Sequence, residues 1–222
     1  MRSSDFDLFS EIVKRSVLTD RHYGQYESLY VYFMIQRISG WLWLWPQLGL
    51  GLFIGMTMLR IRKATQLDAK ACWDIRNAAI NKGCAGFYAQ DDLQIWMQGE
   101  LTESFRRMVG AHFYVAEILD DETQEGTLVG TIMLDEPYAQ VEALFVAPEA
   151  MGLGVGKSLL QFIETKAFNL GIAQLRLEST LNAVGFYRHY GFGGEGFEEE
   201  SIYCSPRGIA LECMVMYKNL VC

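Results

Sequence analysis

The sequence predicts an α/β domain that starts near Met58, runs to Cys222 and is preceded by an apolar N-terminal extension. Three observations carry this. Beyond Met58, short runs of alternating apolar residues are interleaved with apolar stripes at helical spacing. Glycines and an acidic stretch punctuate those runs where turns belong. Half of the 222 residues are hydrophobic, enough for a sizeable core.

The elements follow in order. "MLRIRKAT" alternates Leu59 and Ile61 with basic residues and reads as a short strand. Leu67, Ala71, Ile75 and Ala78 then recur at helical spacing, with Thr65 as N-cap. "DDLQIWMQGE" is a second short helix that puts Leu93, Trp96 and Met97 on one face. "AHFYVAEIL" and "TLVGTIML" are strands joined around "DDETQEG". "AQVEALFVA" is a further strand, with Val141, Ala143 and Phe145 on one face and Glu142, Leu144 and Val146 on the other. A helix from Val155 to Leu170 carries the stripe Val155, Leu159, Ile163, Ala167 and Leu170, and Gly171 caps it. "AQLRLES" is a strand, "NAVGFYRHY" a helix stopped by Gly191, and "IALECMVMYKNL" a final strand.

Composition narrows the function. The net charge is −8, which argues against an extended nucleic-acid surface. The five cysteines form no CxxC pair and the three histidines are dispersed, so neither a disulfide framework nor a metal site is expected. Free thiols in a reducing, cytoplasmic setting are the simpler reading. Residues 1–57 carry five basic and five acidic side chains, so the whole excess charge belongs to 58–222. They also hold most of an uncharged run of 22 residues, Ile38 to Leu59, long enough to span a bilayer. Three readings of the extension stay open: a dispensable upstream segment, a membrane anchor that leaves the domain in the cytoplasm, or an apolar element packed on the domain. A helix ending at Leu59 would consume the first strand.

"PEAMGLGVGKSLL" (148–160) follows a strand and enters a helix. A Walker A loop would need glycine at 151, which is Met. A dinucleotide fingerprint would need glycine at 157 or 159, which are Lys and Leu. What remains is strand, alternating glycines, helix. Such a loop brings main chain and a helix N-terminus close to an anion. By itself it fits a phosphate cradle and a tight turn equally.

Context separates the two. "LFVAPEAMGLGVGKSLL", followed after a strand by "LRLESTLNAVGFYRHYGF", resembles the GNAT superfamily of N-acetyltransferases. Gly154 and Gly156 fill that family's loop glycines, and Met151 stands where Gln or Arg is usual. Asn182, Ala183, Phe186, Tyr187, Gly191 and Phe192 match its second pattern. "CAGFYAQDDLQIW" and "GIALECMVMYK" extend the likeness across 58–222. The resemblance implies a mixed, mostly antiparallel sheet flanked by helices, with strands that splay around acetyl-CoA. Pantetheine would pair with main chain near Leu144, Phe145 and Val146. The pyrophosphate would rest on Met151, Gly152, Leu153, Gly154, Val155, Gly156 and Lys157.

The resemblance also implies direct attack of a primary amine, on a small molecule or a protein, upon the thioester, with Tyr187 protonating the departing thiolate. Glu142, on the strand before the loop, is the candidate base; a surface or ion-paired Glu is the alternative, with Glu178 and ordered water as other proton acceptors. Asn182 contacts pantetheine or caps its helix. Cys84 and Cys213 read as ordinary thiols, since no His is placed near either by motif. A non-catalytic acyl-CoA sensor is the rival class, and a homodimer is left open.

Overall fold

In a computed structural model of the chain, the described residues are 58–120, 122–205 and 208–220, together with the backbone of 28–32. The strands are β1 (Ser28–Tyr32), β2 (Met58–Lys63), β3 (Phe113–Leu119), β4 (Gly126–Asp135), β5 (Gln140–Val146), β6 (Gln174–Thr180), β7 (Glu198–Cys204) and β8 (Ala210–Asn219). The helices are α1 (Ala69–Gly83), α2 (Gln90–Met97), α3 (Glu103–His112), α4 (Val155–Asn169) and α5 (Val184–His189). The strands form one sheet in the order β1-β2-β3-β4-β5-β6-β8-β7. Every neighbouring pair is antiparallel except β5 and β6. The mixed, mostly antiparallel sheet flanked by helices is therefore as expected.

Side-chain alternation along β3 divides the core between two layers. Tyr114 and Ala116 point to the face covered by α4, where the Tyr114 and Phe162 rings lie 4.9 Å apart. Phe113 and Val115 point to the opposite face and pack with Ala69 and Cys72 of α1 and Val109 of α3. On that second face Glu117 is buried and clamped by two arginines. Arg60 donates to Glu117 Oε2 from Nε (2.8 Å) and Nη2 (2.6 Å), and Arg62 donates to Oε1 from Nε (2.9 Å) and Nη2 (2.6 Å). Arg62 also donates to both carboxylate oxygens of Asp68, which ties the β2–β3 pair to the start of α1. Burial acts to raise the Asp68 pKa, but the bonds from Arg62 and Thr65 outweigh it and hold it below its ordinary value.

The first helix corrects its predicted stripe. Asp68 Oδ2 accepts from the Thr65 N–H at 2.7 Å, and Gln66–Asp68 form a 3₁₀ turn before the α-helix begins at Ala69. The buried face becomes Ala69, Cys72, Ile75, Ala79 and Ile80. Leu67 is left 90% exposed, and Ala78 faces solvent. Three of the named helices and strands have no counterpart in the sequence expectation: the edge strand β1, α3, whose Thr102 caps it by accepting from the Phe105 N–H, and the edge strand β7.

Of the apolar run 38–59, Met58 and Leu59 open β2, and the rest lies outside the described residues. Ser28–Tyr32, also within the extension, pairs along β2 from Met58 to Arg62. Among the described residues no helix is long and apolar enough to cross a membrane.

Candidate active site

The site begins with a fault in the sheet. β5 and β6 share only two register pairs, Gln140 with Arg176 and Val141 with Leu177. From Glu142 onward β5 has no ladder partner on its β6 side among the described residues. On its other side β5 carries a bulge. Met133 pairs with Glu142 and Thr131 with Phe145, so Ala143 and Leu144 together oppose Ile132. Ala143 takes φ +52°, and the Thr131 hydroxyl holds it there by donating to the Ala143 carbonyl at 2.9 Å. The bulge breaks the strict alternation expected of this strand. Phe145 consequently packs against both Ile80, Cys84 and Leu93 and the main core.

β5 leads into a 3₁₀ turn, Pro148–Ala150, and then the glycine loop. The three glycines serve different ends. Gly152 and Gly154 hold φ of +79° and +83°, a region that L side chains enter only with strain. Gly156 is helical, and a Cβ there would sit 3.3 Å from the Phe186 ring, so its missing side chain lets α5 pack on the start of α4. The first intrahelical bond runs from the Ser158 N–H to the Gly154 carbonyl at 3.0 Å. The N–H groups of Val155, Gly156 and Lys157 thus have no partner within the helix and present an anion cradle at its positive end.

A cleft of about 780 Å³ joins this loop to the strand splay and continues to the helices on the other face of the sheet. Glu142, Leu144, Phe145, Val146, Met151, Gly152, Gly154, Val155, Gly156, Lys157, Asn182 and Tyr187 all line it. Leu153 is the one candidate that does not. Its N–H turns inward to the Ala150 carbonyl, and its side chain is exposed. Met151 is 43% exposed at the edge of the cleft.

Tyr187 is 9% exposed, with its ring against Phe186 and Phe192 (centroids 5.2 and 6.0 Å). Its hydroxyl makes no hydrogen bond with a described residue and opens to the cleft. Burial pushes its pKa well up, and the nearby Glu142 charge adds to the shift. Glu142 is itself raised, first by burial and then by repulsion from Glu178, against a hydrogen bond from Gln140. Gln140 Nε2 donates to Glu142 Oε1 at 2.7 Å; Arg176 donates to Gln140 Oε1 and, at 2.7 Å, to Glu178 Oε1. The two carboxylates are thus linked through Gln140 and Arg176 at the point where the strands part.

Asn182 lies in the 3₁₀ turn Leu181–Ala183 that leads into α5. It caps neither element: Thr180 and Ala183 occupy the N-cap positions, and neither makes a side-chain cap bond. Its side chain instead reaches across the cleft, where Oδ1 accepts from Cys84 Sγ at 3.4 Å. Burial pushes the Cys84 thiol up to about 11, the behaviour of an inert thiol.

The far side of the cleft gathers Arg76 and Tyr203, to which the sequence reading assigned no role, with Tyr88 and Trp96 from the segment "CAGFYAQDDLQIW" that carries part of the family likeness. Tyr88 Oη donates to the Glu212 carbonyl (2.7 Å) and accepts from the Leu181 N–H (2.9 Å). The Trp96 and Tyr203 rings lie 6.3 Å apart. Arg76 lies over Trp73 and Trp96 and donates to the Trp96 carbonyl at 3.1 Å.

Residues 81–192, half of the chain, match the family described as "Acetyltransferase (GNAT) family". The chain belongs to the GNAT acetyltransferase family. The match takes in the splay, the glycine loop and Tyr187. A curated relative, "IAA acetyltransferase" of Azospirillum brasilense, is 35% identical over 80 residues, 33% of this chain. The aligned part spans about half of that relative, 52% of its length. Two solved structures share the GNAT fold. A GCN5-related N-acetyltransferase from Rhodopseudomonas palustris superposes with a TM-score of 0.62 at 21% identity, over 72% of this chain and 94% of its own. The PaiA N-acetyltransferase from Thermoplasma acidophilum, solved in complex with coenzyme A, gives 0.51 at 22% identity, over 72% and 98%.

Proposed function

We propose that this GNAT chain is an acetyl-CoA-dependent N-acetyltransferase that moves an acetyl group to a primary amine by direct attack. One observation carries the reading: the Tyr187 hydroxyl and the Glu142 carboxylate open onto a single cleft that also holds the anion cradle and the unpaired edge of β5. The residues fit the co-substrate. Main-chain N–H groups at the start of α4 suit a pyrophosphate, and the free β5 edge beside Leu144, Phe145 and Val146 suits an extended amide-bearing arm. Coenzyme A bound to the PaiA relative is in keeping with this.

Acetyl-CoA, when bound, supplies the reactive thioester. The chain's own residues supply position and protons. Glu142, whose pKa burial and Glu178 raise above its ordinary value, accepts in its ionised form the proton that an ammonium must lose before it can attack. Tyr187, held protonated by burial and by the Glu142 charge, donates to the departing thiolate. The four described cysteines are all free thiols, in keeping with a cytoplasmic setting.

The test is thiol release from acetyl-CoA by the full chain across a panel of amines, with CoA binding measured alongside. Amine-dependent release supports the proposal. CoA binding without release from any amine would favour a binding module, the alternative to which Met151 in the loop lends weight.

A further inference from the structure

We infer that Gln140 is the positioning residue of the proton acceptor: its amide bridges Arg176 and Glu142, fixes the Glu142 carboxylate where β5 and β6 part, and leaves one carboxylate oxygen for the amine. This rests on the acetyl-transfer reading, in which Glu142 takes the amine proton.

The register sets the problem. Gln140 pairs with Arg176 and Val141 with Leu177, and there the ladder ends. One further pair would set Glu142 beside Glu178, and like charges side by side on neighbouring strands repel. The strands part at that point, so Glu142 has no ladder partner on its β6 side among the described residues. A side chain has to hold its carboxylate.

Gln140 is placed to do so. It lies two residues before Glu142 on a stretch of β5 that still pairs regularly with β4, so both side chains share one face. Its Nε2 donates to Glu142 Oε1 at 2.7 Å, and its Oε1 accepts from Arg176. Only one orientation of the amide satisfies both neighbours. A guanidinium only donates and an ionised carboxylate only accepts, so the amide oxygen faces Arg176 and the amide nitrogen faces Glu142. Arg176 is itself anchored: its backbone N–H donates to the Ala139 carbonyl at 2.9 Å, and its second Nη donates to Glu178 Oε1 at 2.7 Å. Glu142 Oε2 makes no hydrogen bond with a described residue, and Glu142 lines the cleft.

Because Gln140 can only donate to Glu142, it favours the ionised form, against burial and the Glu178 charge. The other charged and titratable groups near Glu142 are Glu178 and Arg176 on β6, Asp135 on β4 and Tyr187 on α5. Arg76 of α1, Lys157 of α4 and Glu212 of β8 line the same cleft. Replacing Gln140 leaves all of them in place, so a difference from the parent reports the amide.

The experiment follows thiol release by the full chain against pH, at saturating acetyl-CoA, with an amine that the parent turns over. Gln140→Met keeps the reach of the side chain and removes both bonds. Gln140→Glu keeps an acceptor for Arg176 but sets a second carboxylate against Glu142, and it carries the test if Gln140→Met fails to fold. We expect the acid limb of kcat/KM for the amine to move up by about one pH unit in Gln140→Met and further in Gln140→Glu. Loss of the fixed carboxylate should lower kcat about tenfold and leave the KM for acetyl-CoA unchanged. In a Glu142→Gln background, Gln140→Met should add nothing. A carbon NMR titration of the glutamate carboxyl groups, with Glu142→Gln to identify the resonance, reads the same shift without turnover. An acid limb and a Glu142 resonance that stay in place in both Gln140 variants would overturn the inference and leave Glu142 standing as base. An acid limb that survives Glu142→Gln would overturn Glu142 as base, and the inference with it. No thiol release by the parent from any amine, with CoA bound, would overturn acetyl transfer itself.

Discussion

Replacing Tyr187 by Phe removes one oxygen atom, and the structure separates its effects on stability and on rate. The ring stays against Phe186 and Phe192, so the packing contacts survive. The hydroxyl makes no hydrogen bond with a described residue, so no partner is stranded. The change in unfolding free energy should therefore stay under about 1 kcal/mol, which for a chain of this size is a melting shift of less than about 4 °C. The rate behaves differently. A general acid contributes about 10²- to 10⁴-fold, or roughly 3–5 kcal/mol of barrier, and the substitution should take that from kcat. Tyr190 also lines the cleft, three residues along the chain, so Tyr190→Phe is the control and should leave kcat near the parent value. The assay pairs a thermal melt with thiol release at saturating acetyl-CoA. A kcat that survives Tyr187→Phe would refute the assignment of Tyr187 as acid. A melting point lowered well beyond the limit would refute the claim that the hydroxyl has no structural bond.

Other predictions concern the surrounding residues. Glu142 acts as base only when ionised, and burial and Glu178 both raise its pKa, so the acid limb of kcat/KM should lie above the ordinary carboxylate range. Glu142→Gln should abolish that limb, and Glu178→Gln, by removing the like charge, should move it to lower pH. Met151→Arg places a cation beside the anion cradle and should tighten CoA binding roughly three- to tenfold by calorimetry, with the gain shrinking as salt is added. Tyr88→Phe removes the hydroxyl shared by the Leu181 N–H and the Glu212 carbonyl; it should cost about 1–3 kcal/mol and lower the melting point by roughly 2–12 °C.

What could be read in advance depended on how local the signal was. In the α4 stripe Val155, Leu159, Ile163 and Ala167 lie within one helix and are buried as their spacing requires, whereas Leu170, the last residue of the expected stripe, is the C-cap and is exposed. Gly152 and Gly154 announce their turn because few other residues tolerate positive φ. The β5 bulge escaped because nothing in "QVEALFV" marks Ala143 as the residue that leaves the alternation; the Thr131 hydroxyl on the neighbouring strand decides it. β7 escaped because an edge strand with "EEE" at its start buries too little to show a pattern. Asn182 looked like a cap by position, but its partner is Cys84, brought close only by the tertiary fold. The approach of Trp96 to Tyr203 was the least legible part. Trp96 and Tyr203 come from elements far apart in the chain, and no local window contains both.

The two-residue pairing of β5 with β6 also bears on how long the protein persists. The middle of the sheet is a seam, and on the acetyl-transfer reading the ligand that carries the thioester fills it like a borrowed strand. Each tenfold rise in free ligand above its dissociation constant then adds about 1.4 kcal/mol to the folded state. On that reading, metabolic supply would act as a structural component of the fold. A cell short of the acyl donor would hold a looser form of this protein, more open to proteolysis, so that the amount of enzyme falls with the fuel it consumes.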